Sequence, residues 1–289
     1  MVSKFVYHAP KSLQEALDLM SSYGRDAKPL AGGTDLLVDL REKKSKPKAV
    51  IDLKNIKELN KLSYERGSGL VIGATVTYEQ ILSFEPIRRR YTVLWEAVKT
   101  IADEIIRMRA TLVGNICTSS PAADTAPPLL VYDAVVKTLS KNGAREIPIE
   151  KFFIGVKKNV LEAGEIVESV YLPEPLEDAR GAYLKAMRTW SEDLALVGVA
   201  VLVADRGRDV RLAYASVAPT PVRARKAEDV FRGDGPLREK IEQAVEIAAA
   251  SVSPITDVRA SKEYRLHLVK TFTRNALLKL LGTEVVNVA

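Results

Sequence analysis

The chain has 289 residues, with 43 Lys plus Arg against 37 Asp plus Glu and a formal charge of +6. An apolar fraction of 47% and a charged fraction of 28% exclude a disordered or collagen-like chain. A chain of this size buries roughly three quarters of its unfolded surface, in two or three cores rather than one. Cys117 is the single cysteine, and His8 and His267 are the two histidines. That excludes a disulfide framework, a four-cysteine zinc site and a self-contained iron–sulfur cluster. No apolar run approaches the ~18 residues of a membrane span, and the opening MVSKFVYHAP lacks the apolar stretch of a secretion signal, so a reducing cytoplasm is the expected setting. The basic residues at 41–48 and 88–90 form short runs, and most other cations alternate with acids. They read as solvated faces, or as help in docking an acidic partner subunit, rather than as a track for nucleic acid.

In chain order, residues 2–7 alternate and predict a strand. Ser12 and Glu15 form a capping box that opens a helix, and Gly24 ends it. Residues 28–31 begin a short strand, residues 36–38 look helical, and residues 49–52 predict a buried strand. Residues 1–56 therefore read as a small β-α-β-type unit. Residues 59–65 and 70–74 flank Arg66-Gly67-Ser68-Gly69 as a hairpin, and Thr77 with Gln80 makes a second capping box. Residues 93–106 have helical spacing, with Trp95 on the helix. Residues 107–128 are rich in small residues, hydroxyls and proline, and predict a long polar loop that cannot build a core. Residues 134–139 and 145–149 form a hairpin about Asn142-Gly143.

A strand at 166–172 ends at Pro173 and Pro175, which sets the boundary between a domain at 1–175, with subdomains 1–56 and 57–175, and a second at 176–289. Past the boundary come strands at 183–187, 196–204 and 210–217, with a tight turn at Arg206-Gly207. Helices follow at 237–252 and 262–281. The last carries Val269, Phe272, Ala276 and Leu280 on one stripe and ends at Gly282. Sheet followed by helices predicts an α+β fold.

Two segments are candidates for chemistry. In Leu30, Ala31, Gly32, Gly33, Thr34, Asp35, Leu36, a strand enters paired glycines ahead of a helix-like segment. Such glycines allow positive φ and close approach of backbone N–H groups to an anion, and Thr34 adds a hydroxyl. The alternative is an ordinary Gly-Gly turn. The second segment offers Thr111, Asn115, Thr118, Ser119 and Ser120 as small donors, Gly114 for close approach and Asp124 as an acceptor for sugar hydroxyls. Its alternative is a polar loop. Gly67, Gly69 and Gly73 are one residue too widely spaced for the dinucleotide fingerprint, and there is no P-loop. The residues alone reach a dinucleotide-like ligand between two small α/β units. Cys117 has no adjacent cation or resolving cysteine and reads as packing. Trp190 and Tyr183 are read first as core or interface residues, and His8 and His267 as structural or exposed.

An ordered set of segments carries a resemblance. Residues 31–36 (AGGTDL), 73–77 (GATVT), 106–111 (IRMRAT), 113–116 (VGNI), 120–124 (SPAAD), 166–173 (IVESVYLP) and 183–185 (YLK) resemble the FAD-binding medium subunit of the molybdenum hydroxylases. That family includes carbon monoxide dehydrogenase, xanthine dehydrogenase and aldehyde oxidoreductases, and the similarity spans most of the chain. It implies two small α/β subdomains forming a PCMH-type FAD-binding domain, then a C-terminal domain of antiparallel sheet plus helices. It also implies non-covalent FAD, a small partner subunit with [2Fe–2S] clusters, a large molybdopterin subunit that oxidises the substrate, and a heterotrimer or dimer of heterotrimers. Carried over, residues 31–36 and Thr111, Val113, Gly114 and Asn115 hold the pyrophosphate. Ser119, Leu30, Ala74 and Thr75 are further cofactor-binding residues, Asp124 meets the adenosine ribose or its surroundings, and Val167 and Lys185 lie toward the flavin ring. Val113 replaces a frequent family glycine, so its side chain is expected to push the loop off the phosphate. Met108 stands where a polar residue is common. A stand-alone flavoenzyme and a non-redox nucleotide-binding module are the competing readings.

Overall fold

The computed structural model describes residues 4–189 and 193–282. The expected strand start at Val2 and Ser3, and Trp190, lie outside the described residues. The chain divides into two compact units. One comprises Met1–Ser83, Asp103–Ser119 and Ala134–Pro173; the other comprises Phe84–Ala102, Ser120–Asp133 and Glu174–Ala289.

In the first unit, β1 (Val6–His8), β2 (Ala27–Leu30) and β3 (Ala49–Asp52) form a parallel sheet in the order β1-β3-β2. Every residue of β3 is buried, as a central parallel strand requires. The helix Leu13–Tyr23 connects β1 to β2, and its N-cap Ser12 accepts from the Glu15 amide. The Glu15 carboxylate answers one residue early, accepting from Lys11 N at 3.0 Å. Gly24, at φ 52, closes the helix. The Thr77 box is fully reciprocal: Thr77 N donates to Gln80 Oε1 at 2.8 Å and Gln80 N to Thr77 Oγ1 at 3.3 Å.

The same unit holds a second sheet. Its strands are β4 (Leu62–Glu65), β5 (Gly69–Gly73), β6 (Val135–Ser140) and β7 (Gly143–Pro148), with β8 (Phe153–Gly155) and β9 (Lys158–Asn159) forming a separate hairpin before β10 (Ile166–Pro173). The order is β4-β5-β10-β6-β7, all antiparallel. Both predicted hairpins are present. β4 begins at Leu62 rather than 59, because Leu59 lies in a short 3-10 turn and its carbonyl takes the Thr75 amide.

Between β6 and β10 lies a satisfied buried carboxylate. Burial raises Glu165, but hydrogen bonds from Arg145, Thr138 and the Glu162 amide outweigh it and hold the group below the usual carboxylate range. Asp52 behaves alike, with burial opposed by Lys54 and Tyr7. In the second unit Asp257 is held low by Arg259, against burial, with Arg265 adding to it. A carboxylate with a depressed folded pKa contributes stability above its unfolded pKa and loses it as pH falls. The thermal midpoint is therefore expected to drop as pH is lowered from about 4 toward 2. Glu165→Gln is expected to flatten that drop in a circular-dichroism melt series. An unchanged slope would remove Glu165 from the account.

Two stretches depart from the sequence reading. Residues 93–106 do not form one helix. The helix Thr92–Lys99 ends where Thr100 Oγ1 donates to Ala97 O at 2.7 Å, and Ala102 turns left-handed at φ 40. Asp103 then caps a new helix, Glu104–Arg107, by accepting from Ile106 N. Nor are residues 107–128 a polar loop without a core. They contain the helix Leu112–Thr118 and the start of the helix Ala126–Val131, and Leu112, Val113, Ile116, Ala123 and Ala126 are all buried. The hydroxyls and prolines that suggested a loop are helix-start chemistry: Thr111 is an N-cap, and prolines sit in a first turn, where no N–H is needed.

The second unit is built on β11 (Arg180–Ala186), β12 (Val197–Ala204), β13 (Asp209–Ala215) and β14 (Val222–Arg223), antiparallel in that order. All eight residues of β12 are buried. The helices Leu237–Ala250 and Lys262–Leu281 supply Ile241, Val245, Val269, Ala276 and Leu280 to the core over this sheet, with Phe272 packed partly buried against it. The last helix stops at Gly282, φ 77, as the sequence reading expects. This is the α+β architecture expected from sequence.

Candidate functional site

The two glycine-bearing segments meet in the first unit. The bend at residues 31–35 leaves the C-terminal end of β2, where Leu30 is buried, and enters the helix Leu36–Arg41. Gly33 has φ 80, a conformation that favours glycine. Gly32 lies flat against the start of the second segment, where a Cβ would come within 2.1 Å of Arg109 O. Thr118 Oγ1 donates to Asp35 Oδ2 at 3.1 Å, a second tie across 83 positions of sequence. Asp35, placed as the helix cap, therefore turns its carboxylate to the other segment and makes no capping bond.

The helix Leu112–Thr118 is fixed at both ends. Thr111 is buried, and its Oγ1 accepts from Gly114 N at 2.9 Å. Tyr78 N donates to Ala110 O at 2.9 Å, tying the approach to the Thr77 turn. At the far end Ser119 is buried at φ 51, and its hydroxyl donates to Ile116 O. Asn159 Nδ2 donates to Cys117 O at 2.9 Å and to Ser119 Oγ at 3.2 Å. Sequence reasoning missed Asn159; its role depends on a pairing some 40 positions away that no local motif announces. Asn115 is half-buried. The Val113 side chain is buried in the core, packed to the interior instead of toward the open side of the bend. Cys117 is packed densely enough that burial pushes its thiol up to about 12, which suits packing and not thiolate chemistry.

What this arrangement offers is a set of unanswered donors. Among the described residues the amides of Gly32, Gly33, Thr34 and Val113 reach no acceptor in the protein. On Gly114 an added Cβ would meet only Thr111 Oγ1, so the backbone there is open to close approach. Backbone N–H groups left unpaired along a bend and a helix start suit an anion such as a diphosphate.

The remaining expected site residues are carried by other elements. Ala74 and Thr75 follow β5 and are buried; Asn60 Nδ2 donates to Thr75 O and Oγ1. Val167 is buried in β10, beside an irregularity that spans Glu168. Asp124 and Lys185 belong to the second unit. Their pairing is internal to it: Lys185 Nζ donates to Asp124 Oδ2 at 2.9 Å and to Thr100 O at 3.0 Å, and Tyr183 Oη donates to Asp124 Oδ1 at 2.7 Å. Burial pushes the Asp124 carboxyl up, with Lys185 and Tyr183 pulling it back. Both of its oxygens are thus already engaged. His8 contacts Tyr23, and His267 is exposed on the last helix.

Comparison with known proteins decides what these bends belong to. Residues 3–175 match the model of the FAD binding domain in molybdopterin dehydrogenase, and residues 181–280 match the CO dehydrogenase flavoprotein C-terminal domain. The chain belongs to the FAD-binding subunits of the molybdopterin dehydrogenases. It is 34% identical over 276 residues to a putative xanthine dehydrogenase FAD-binding subunit of Escherichia coli (strain K12), covering 94% of each chain. It is 32% identical to the carbon monoxide dehydrogenase medium chain of Hydrogenophaga pseudoflava, covering 95% of this chain and 96% of that one. The fold superposes on a chain of the CO dehydrogenase from Oligotropha carboxidovorans with a TM-score of 0.92 at 28% identity, covering 98% of this chain and 100% of that one. The resemblance read from sequence is therefore confirmed at the level of the family.

Proposed function

We propose that this chain is the FAD-carrying electron-transfer subunit of a multi-subunit molybdenum hydroxylase. It takes electrons from a [2Fe–2S] partner subunit and passes them to an external acceptor. The observation that carries this reading is the set of unpaired amides at Gly32, Gly33, Thr34 and Val113, on two segments brought together in a chain of this family. Residues 31–36 and 111–115 cradle the diphosphate through backbone N–H groups and the Thr34 hydroxyl. Ser119, Ala74, Thr75 and Val167 are buried and shape the walls rather than donate. Asp124 and Lys185 act through each other, as a positioning pair.

Bound FAD supplies a store that accepts electrons one at a time and releases them in pairs. The protein would hold the phosphates and keep the bends in register. Substrate oxidation belongs to a molybdopterin subunit. The chain matches relatives named for xanthine and for carbon monoxide at nearly equal identity, 34% and 32%, which agrees with a substrate chosen outside it. Assembly as a heterotrimer or a dimer of heterotrimers, in the cytoplasm, completes the proposal. No helix among the described residues is long and apolar enough to cross a membrane.

The flavin is expected to be held without a covalent bond. After acid precipitation of the purified chain, flavin absorbance should appear wholly in the supernatant and match FAD by chromatography. Flavin in the pellet would refute non-covalent attachment. A colourless chain holding another nucleotide at full occupancy would favour the non-redox alternative.

A further inference from the structure

We propose that Asn159 is a positioning residue of the diphosphate cradle: from the β8–β9 hairpin it holds the last turn of the helix Leu112–Thr118, and through that turn it keeps the bend at 31–35 in line with the helix. The inference rests on the reading above that the two segments receive the FAD diphosphate. The part played by Asn159 rests on its own hydrogen bonds.

A helix leaves its last carbonyls without partners of its own. Here Ile116 O is met locally, by the Ser119 amide and hydroxyl. Cys117 O is met from outside, by Asn159 Nδ2 at 2.9 Å, and the same nitrogen donates to Ser119 Oγ at 3.2 Å. Lys157 N of the hairpin donates to Ser119 O at 2.9 Å. The hairpin grips the helix end where its backbone is least at ease. Ser119 is left-handed, at φ 51 and ψ 40, a conformation that glycine usually supplies at a helix end. A serine stands there only because its surroundings hold it.

Asn159 is itself oriented. Its Oδ1 accepts from Leu161 N at 3.2 Å, which turns the amide nitrogen to the helix. Val160, the next residue, is fixed at both backbone groups: its amide donates to Phe152 O at 3.1 Å, and its carbonyl accepts from Arg145 Nη2 at 3.1 Å. Arg145 is held in turn by the buried Glu165. A run of bonds therefore leads from the five-stranded sheet to the end of the helix.

That end is tied to the bend. Thr118, between Cys117 and Ser119, donates to Asp35 Oδ2 at 3.1 Å. Asp35 closes the bend that carries the Gly32, Gly33 and Thr34 amides. Without Asn159, the residues on either side of Thr118 lose bonds that fix them, and the tie to Asp35 loses its footing. The amides of the bend then shift against that of Val113, on the same seven-residue helix. Asn159 does this without touching a cofactor atom.

Titration of the flavin-stripped chain with FAD, well below its thermal midpoint, tests the role. Asn159→Ala should weaken binding by about tenfold, the equivalent of roughly one hydrogen bond. Asn159→Asp keeps the size and the bond from Leu161 N but sets an oxygen against Cys117 O, and should weaken binding at least as much. Asn142→Ala, in the exposed β6–β7 turn, should bind as the wild type does. Thr118→Val should also weaken binding. Combined with Asn159→Ala it should add little to the larger single loss, because both act through one tie. Native affinity in a folded Asn159→Ala chain overturns the role, even where its thermal midpoint falls. So does rescue by Asn159→Asp, or losses that multiply in the double variant. Should Asn159→Ala not fold, native affinity in Asn159→Asp overturns it equally. A wild-type chain that binds no FAD would instead sink the function proposed above.

Discussion

Gly32→Ala is expected to empty the chain of flavin. The added methyl would stand 2.1 Å from Arg109 O and 2.9 Å from Ala110 Cα. Both are backbone atoms, and no side-chain rotation relieves the clash. The bend at 31–35 must therefore separate from the segment that leads into Thr111, and the amides of Gly32 and Gly33 leave their alignment with that of Val113. Losing two hydrogen bonds to a charged group costs about 3 kcal/mol, roughly a hundredfold in affinity. Strain in a close-packed contact adds about 1–3 kcal/mol of lost stability. Gly155→Ala is the matched control, since its Cβ would meet nothing nearer than Lys158 side-chain carbons at 3.9 Å. Titration of each stripped chain with FAD, followed by flavin fluorescence, compares them. Native affinity in a folded Gly32→Ala chain would remove this bend from the site.

Much of this cradle was legible because its logic is local. Paired glycines after a buried strand announce a bend on which backbone can approach a ligand, and the order of Gly32, Gly33, Gly114 and Asn115 along the chain carried the family resemblance. The capping boxes at Ser12 and Thr77 were legible for the same reason, since each is read from residues three apart. The helix Leu112–Thr118 was not, because Thr111 caps it through the amide of a glycine, where a box would have Glu or Gln. Small residues at Gly114, Cys117 and Thr118 also imitate loop composition. The break after Lys99 escaped because the apolar spacing continues through Ile101, Ile105 and Ile106 while the backbone reverses at Ala102. The ties that hold the site, Thr118 to Asp35 and Asn159 to Ser119, join residues 83 and 40 positions apart. Tertiary hydrogen bonds of this kind leave no periodic or spacing signal.

Asp124 shows the opposite case, a residue whose type was informative and whose buried partners give it structural work that no local spacing announces. Sequence suggested an acceptor for sugar hydroxyls, yet Lys185 and Tyr183 occupy both oxygens in a buried setting. Asp124→Ala is therefore expected to act on stability first. Truncation leaves the Lys185 ammonium buried with only Thr100 O for company, and stranding one partner of a buried pair costs about 3–5 kcal/mol. For a chain of this length that lowers the thermal midpoint by several degrees or more. Tyr183→Phe removes one hydrogen bond and should cost only about 1 kcal/mol. The double variant Asp124→Ala with Lys185→Met removes both charges. It should recover most of the loss, because a buried pair replaced by apolar groups is often nearly neutral. Calorimetry on the three variants separates the readings. Recovery in the double variant, with FAD affinity near native, identifies the pair as a positioning element. A stable Asp124→Ala chain whose only defect is weak FAD binding would return the carboxylate to the ribose.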